Sequence, residues 1–166
     1  MSSDAKIEAP SYNDVKALVA TKFPKTVSLR ENTKKNSRAD NEKRRIYFKA
    51  DRKVLLELCT YLRDKLNFEH ASSVTAVDWV DHMEVVYHLS NYFNGMLLEI
   101  SVDVPLDDLT VDSVANVWGG ANWHEREAYE LFGIVFKGHP KLERLLTPKY
   151  YEFYPFRKSY KLRGQE

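Results

Sequence analysis

Val85, Tyr87 and Leu89 recur at every second position, and Leu98, Ile100, Val102 and Val104 alternate with Glu99, Ser101 and Asp103. A period of two sends alternate side chains to opposite faces of a sheet, so each run has one face to bury. Asn94-Gly95 supplies turn chemistry between the runs, and Pro105 ends the second. A half-buried antiparallel hairpin therefore sits at the centre of the chain, and its apolar face needs a cover.

Helical patterns supply that cover. Ser11 or Asn13 can cap a helix over about Tyr12–Phe23, with Val15, Leu18, Val19 and Phe23 on one face, and Pro24 stops it. Asp51 caps a second helix to about Leu66, carrying Leu55, Leu58, Leu62 and Leu66 at helical spacing. Thr26–Leu29, Arg45–Lys49 and Val74–Val80 read as strands, and Val111–Trp118 as a short helix. Glu31–Arg44 is polar throughout and reads as a mobile loop. The fold class expected is α+β, with helices packed on a mixed, largely antiparallel sheet. Residues 1–136 form that domain. Beyond them Pro140, Pro148 and Pro155 interrupt any period, Leu142, Leu145 and Leu146 make at most one helical turn, and residues 137–166 read as an extended arm.

Several function classes fall away early. One cysteine, Cys59, excludes an internal disulfide framework and a cysteine metal cluster, and reads as a buried thiol on a helix. No apolar run approaches the roughly 18 residues that span a bilayer. The start, Met1-Ser2-Ser3-Asp4, matches neither a secretory signal nor a transit peptide, which implies a cytosolic location. The net charge of +1 is unevenly spread. Lys25–Lys53 holds eleven Lys/Arg against four Asp/Glu, Glu69–Glu130 one against twelve, and Lys137–Arg163 eight against two. Such blocks steer partners, or form solvated faces. A nucleic-acid or acidic-partner role through Lys34–Lys53 is one reading, opposed by overall neutrality, the acidic middle and the lack of a nucleic-acid motif.

The densest chemistry is Asn122-Trp123-His124-Glu125-Arg126-Glu127-Ala128-Tyr129-Glu130-Leu131-Phe132-Gly133. It reads as one helix, with Asn122 as N-cap, Glu125 closing a capping box and Gly133 in the left-handed C-terminal position. His124, Ala128, Leu131, Phe132 and Val135 form the expected inner stripe. Glu127 shares a face with Trp123 and Leu131, so it is the carboxylate expected to be buried and to need a partner, best supplied by a basic residue of the tail or of another strand. A zincin needs a second His four residues after His124, and position 128 is Ala. A stand-alone enzyme would have to use Glu125, Glu127, Glu130 and His124, with His139 or His88 recruited from elsewhere. The chain also has no nucleophile elbow or phosphate loop, which leaves a structural role for this helix as the favoured reading.

Near the C-terminus, Tyr150, Tyr151, Phe153, Tyr154, Phe156 and Tyr160 crowd into eleven residues with Arg157 and Lys158. At about 150–250 Å² per buried ring, six rings cover on the order of 900–1,500 Å². One side of a standard interface is about 800 Å². So short a tail cannot form a core, because ordering each residue costs roughly 1–2 kcal/mol, so it needs a ready-made surface. That surface is a partner or the chain's own sheet, and docking on a partner is the favoured reading.

Glu125-Arg126-Glu127, Glu130-Leu131-Phe132-Gly133-Ile134, Phe136, Gly138-His139-Pro140, Leu142 and Arg144-Leu145-Leu146 together resemble the signature of the 30-kilodalton subunit of respiratory complex I, or NADH:quinone oxidoreductase. Trp118, Ala121-Asn122-Trp123 and Tyr154-Pro155-Phe156-Arg157-Lys158 extend the resemblance, which covers about Ala76–Lys158 well. Ser159 stands where the family shows Asp. The resemblance implies a cofactor-free scaffold in the peripheral arm, with no catalytic site of its own. It would be bound to the 49-kilodalton, hydrogenase-large-subunit-like protein beside the quinone site, and assembled with iron–sulfur subunits. It implies a peripheral place on the cytoplasmic side of the membrane, or on the stromal side of the thylakoid in a plastid, without a span of its own. It also admits the equivalent subunit of a membrane-bound nickel–iron hydrogenase, or of a deazaflavin- or ferredoxin-fed dehydrogenase. Glu125, Arg126, Glu127, Glu130, Gly133, His139 and Pro140 become structural motif residues. Tyr150, Tyr151, Phe153, Tyr154, Phe156, Arg157, Lys158 and Tyr160 become partner-docking residues.

Overall fold

The computed structural model describes residues 10–30 and 44–162; most of the polar Glu31–Arg44 stretch lies outside them. The hairpin forms as its period dictates. Strand β4 (His82–Asn91) pairs antiparallel with β5 (Met96–Pro105), with Val85 opposite Val102, Tyr87 opposite Ile100 and Leu89 opposite Leu98. The turn between them is closed by Gly95 at φ +66°, a backbone conformation that suits glycine. Strand β3 (His70–Asp78) pairs antiparallel with β4, β2 (Arg45–Ala50) lies parallel to β5, and β1 (Val27–Leu29) is antiparallel to β2. The sheet order is β1-β2-β5-β4-β3. The fold is therefore α+β on a mixed, largely antiparallel sheet.

Helix α1 (Tyr12–Lys22) opens with Ser11 and Asp14 in a reciprocal capping box and buries Val15 and Val19. A 3₁₀ turn (Arg52–Val54), capped by Asp51, leads into α2 (Leu55–Leu66), which buries Leu55, Leu58, Cys59, Leu62 and Leu66. Helix α3 (Ala121–Phe132) packs against β3. The apolar residues of α1, α2, α3 and one sheet face form a single core. The opposite sheet face is polar, with Lys49 Nζ 2.6 Å from Asp103 and His88 between Ser73 and Glu99. The Cys59 thiol is buried, and burial together with the nearby charge of Glu125 pushes its pKa well up.

Two expectations about elements change. Val111–Trp118 is not a helix. Its start forms strand β6 (Thr110–Asp112), parallel to β7 (Val135–Lys137), and a turn follows. Pairing with a strand 25 residues away outweighs a weak local propensity. Strand β3 begins at His70, four residues before the expected start, and ends at Asp78, because Val80 takes a positive φ.

Candidate functional site: the acidic helix and the returning C-terminal segment

Helix α3 starts two residues earlier than its sequence suggests, at Ala121 after the N-cap position Gly120, with no side-chain cap. Its first amides are taken by the preceding turn: Ala121 N–H donates to Trp118 O at 2.9 Å and Asn122 N–H to Gly119 O at 3.3 Å. Asn122 is therefore inside the helix, and Glu125 is released from a capping role. Ala121, Glu125, Ala128 and Phe132 recur at helical spacing and form the buried stripe with Leu131. Trp123 and Glu127 lie on the exposed face, His124 is half-buried, and Val135 is exposed on β7. The carboxylate expected inside, Glu127, is thus outside, and the two buried ones are Glu125 and Glu130. Small alanines bring the helix close to β3, and that packing sets its rotation. Trp123 stays exposed under the Arg126 guanidinium, 5.2 Å from its ring centroid, and Arg126 Nε donates to Glu143 O at 2.9 Å.

Glu125 is fully enclosed. It accepts from Ser113 Oγ at 2.5 Å and from Val114 N–H at 2.7 Å. His139, its ring also enclosed, sits 3.9 Å away through Nε2. The histidine's Nδ1 accepts from Lys141 N–H at 3.0 Å, so Nε2 carries the proton and donates to Asn122 O at 3.1 Å. Loss of water dominates the Glu125 carboxyl and pushes its pKa up to about 7, and two hydrogen bonds offset this only in part. Its charge also bears on the enclosed Tyr87 phenol, which burial raises well above its ordinary value.

Glu130 also has no exposed surface, but it lies nearer the protein surface and is better supplied. It accepts from Leu145 N–H at 2.5 Å, from Leu146 N–H at 2.9 Å and from Thr147 N–H. Burial pulls its pKa up, but the Thr147 hydroxyl and these amides outweigh that and hold it below the ordinary carboxylate range. Arg144 braces the same loop, its Nη1 donating to Thr147 Oγ1 at 3.1 Å. The expected basic partner is therefore mostly backbone, and it serves Glu130 instead of Glu127. Leu142–Leu146 makes no helical turn, because its amides converge on this carboxylate.

The chain then returns across the C-terminal end of α3. Phe156 N–H donates to Leu131 O at 3.1 Å and Arg157 Nε to Phe132 O at 2.6 Å, satisfying carbonyls that the helix cannot. Gly133 lies at φ +79°, as its position predicts, and a Cβ there would strike Arg157 and the Tyr154 ring. Lys158 N–H reaches Asp78 Oδ2 at 2.8 Å. Burial raises the Asp78 pKa, but bonds from Lys158 and Val80 with the nearby Lys158 and Arg157 charges lower it further. Tyr151 and Tyr160 join hydroxyls at 2.8 Å, and Arg157 lies over Tyr154 at 4.4 Å. Phe156 meets the Phe132 ring edge-on at 5.7 Å and Phe153 meets the Tyr151 ring at 5.6 Å, yet much of these rings stays open: Tyr150 is 83% exposed, Phe153 62% and Phe156 60%. Pro140 is exposed as well.

The predicted motif residues therefore divide. Glu125 and His139 meet on the body side, Glu130 and Gly133 meet the returning segment, and Arg126, Glu127 and Pro140 stay at the surface. Sequence reasoning misses Ser113 and Asp78, because each acts through one distant partner and leaves no periodic signal. Among the described residues no group of three or more His, Cys, Asp or Glu converges to hold a metal ion. His88 lies on the polar sheet face, bonded to Ser73 and apart from the acidic helix.

Known proteins are similar to this chain in sequence and in fold. The chain is 40% identical over 119 residues to the C subunit of the F(420)H(2) dehydrogenase of Methanosarcina mazei, covering 70% of this chain and 75% of that one. It is 38% identical over 117 residues to the C subunit of the NADH-quinone oxidoreductase of Geobacter metallireducens, covering 68% and 72%. Its fold matches a chain of the membrane-bound sulfane sulfur reductase, an archaeal respiratory membrane complex, with TM-score 0.74 and 23% identity over 91% of this chain and 86% of that one. It also matches the trypsin-resistant fragment (1–134) of Nqo5, with TM-score 0.64 and 24% identity over 77% and 98%. The family model described as respiratory-chain NADH dehydrogenase, 30 Kd subunit, matches residues 48–166, and the chain belongs to that family.

Proposed function

We propose that this chain is a cofactor-free scaffold subunit in the peripheral arm of a complex I-like redox assembly. It docks on the 49-kilodalton, hydrogenase-large-subunit-like protein near the quinone site, in an assembly with iron–sulfur subunits. There it supports electron transfer to quinone coupled to ion translocation. The assembly is held at the cytoplasmic side of a membrane. No helix among the described residues is long and apolar enough to cross one.

One observation carries the reading. Residues 145–158 are tied to α3 and β3 by backbone bonds and Arg157, while Tyr150, Phe153 and Phe156 stay largely exposed. Exposed rings on a pre-ordered segment lose little conformational freedom on binding, which is how rigid anchors gain affinity. Tyrosine and arginine are favoured at interface hot spots. Residues 137–163 carry eight cations against two acids, which fits a partner surface with an acidic rim. Similarity to an F420H2 dehydrogenase component favours a second reading, in which a reduced deazaflavin feeds the same assembly.

Co-expression of the full chain with the 49-kilodalton-type subunit tests the proposal. The two proteins are expected to co-purify in equal amounts, and a chain ending at Leu146 is expected to stay folded but not to co-purify. The resistance of the Nqo5 fragment to trypsin fits a body that stands without its C-terminal segment. Full co-purification of the shortened chain would defeat the docking role.

A further inference from the structure

The turn between β3 and β4 is exposed in a way that neither the core nor the C-terminal segment explains. Val80 lies at φ +80°, where a β-branched side chain crowds its own backbone. Glycine or asparagine reaches that region with less strain. The valine side chain gains little inside the chain in return, being 65% exposed. Strain of this kind gathers at binding and switch sites. Beside it, Trp79 is 48% exposed yet held in place. Its indole N–H donates to Glu84 Oε2 at 2.9 Å, and the His82 ring stacks with it at 6.4 Å. Asp78 joins this turn to the C-terminal segment. Its Oδ1 accepts from Val80 N–H at 2.7 Å and its Oδ2 from Lys158 N–H at 2.8 Å, while the Lys158 ammonium lies 6.0 Å from the Trp79 ring centroid.

We infer that Trp79 and Val80 form a second contact of the interface proposed for the C-terminal rings, an apolar knob entering an apolar pocket on the same partner protein. The inference rests on that docking reading. The occupant follows from continuity, since one carboxylate fixes both the turn and the segment. It follows also from residue type, since a held, half-exposed tryptophan is the side chain in which binding energy concentrates. The rim of such a pocket is acidic, facing Lys158.

The test uses the full chain with the 49-kilodalton-type subunit, measuring affinity and thermal melting side by side. Val80→Gly relieves the strain. It is expected to raise Tm by about 1–4 °C while weakening binding at least threefold. Trp79→Ala is expected to weaken binding at least tenfold. A Tyr150→Ala/Phe153→Ala variant serves as the reference for the C-terminal rings. If that variant alone loses binding, the inference fails and the docking reading stands. If all three bind like the parent, both fail. A Tm that falls on Val80→Gly removes the strain premise and overturns the inference. Self-association of the isolated chain that Val80→Gly abolishes would make the occupant a second copy, and would overturn it too.

Discussion

Glu125 and Glu130 both lack exposed surface on one helix, about one and a half turns apart, but Glu125 lies deep in the body and Glu130 nearer the surface, and they are pushed in opposite directions. Glu125 faces the body and has two donors, Ser113 and Val114, so loss of water prevails. Glu130 faces the returning segment and has the Thr147 hydroxyl and three consecutive amides, so the charged form prevails. Depth in the body and the number of donors that the fold aims at a carboxyl together decide how it titrates. The same contrast divides the helix by role. Its first half fastens the Ser113–Val114 turn to the core, and its second half holds the C-terminal segment whose rings we assign to docking.

The largest break in this contrast is expected from Glu130→Ala. It removes the acceptor for Leu145, Leu146 and Thr147, and should cost about 2–4 kcal/mol in denaturant unfolding. Residues 145–158 should then become the first site of trypsin cleavage. Gly133→Ala comes next. It places a side chain at positive φ against Arg157 and Tyr154, and should cost about 2–3 kcal/mol by the same measurement.

Glu125 sharpens the comparison through pH. Its folded pKa, about 7, stands above its ordinary 4.5, so between those values the folded state binds more protons than the unfolded one. Its contribution is then fully present below about pH 4.5 and is lost as pH rises through 7. Glu125→Gln should consequently gain on the parent by about 2–3 kcal/mol between pH 5 and pH 8, read from melts across that range. Glu130 runs the other way. Its folded pKa is lowered, so its contribution is present above the unfolded value and lost as pH falls through the folded one, and the deficit of Glu130→Ala should shrink in acid. Glu127→Gln is the smallest change. The side chain is exposed, and stability should stay within about 0.5 kcal/mol of the parent at every pH.

Much of this architecture is legible before any coordinates. The hairpin follows from a period of two, α1 and α2 from helical spacing and their caps, and Gly133 from its place after the last helical residue. The rotation of α3 is legible only in part. Ala128, Leu131 and Phe132 lie inside as their spacing suggests, but Trp123 suggests that Glu127 joins them, and only contact with β3 turns Ala121 and Glu125 inward instead. Tryptophan misleads because size suggests burial, whereas here Arg126 covers its face at the surface. The return of the C-terminal segment is hidden for a different reason. It depends on Leu145–Thr147, Phe156 and Lys158 donating backbone amides, and a backbone amide is the same in every residue but proline.

Tyr150→Ala/Phe153→Ala in the full chain tests most directly whether these rings serve a partner or the chain itself. Both side chains are largely exposed, and neither bonds to α3. Tm is expected to stay within about 2 °C of the parent, while binding to the 49-kilodalton-type subunit falls at least tenfold. A lowered Tm with binding intact would contradict the account, and would show that the rings complete the domain's own packing.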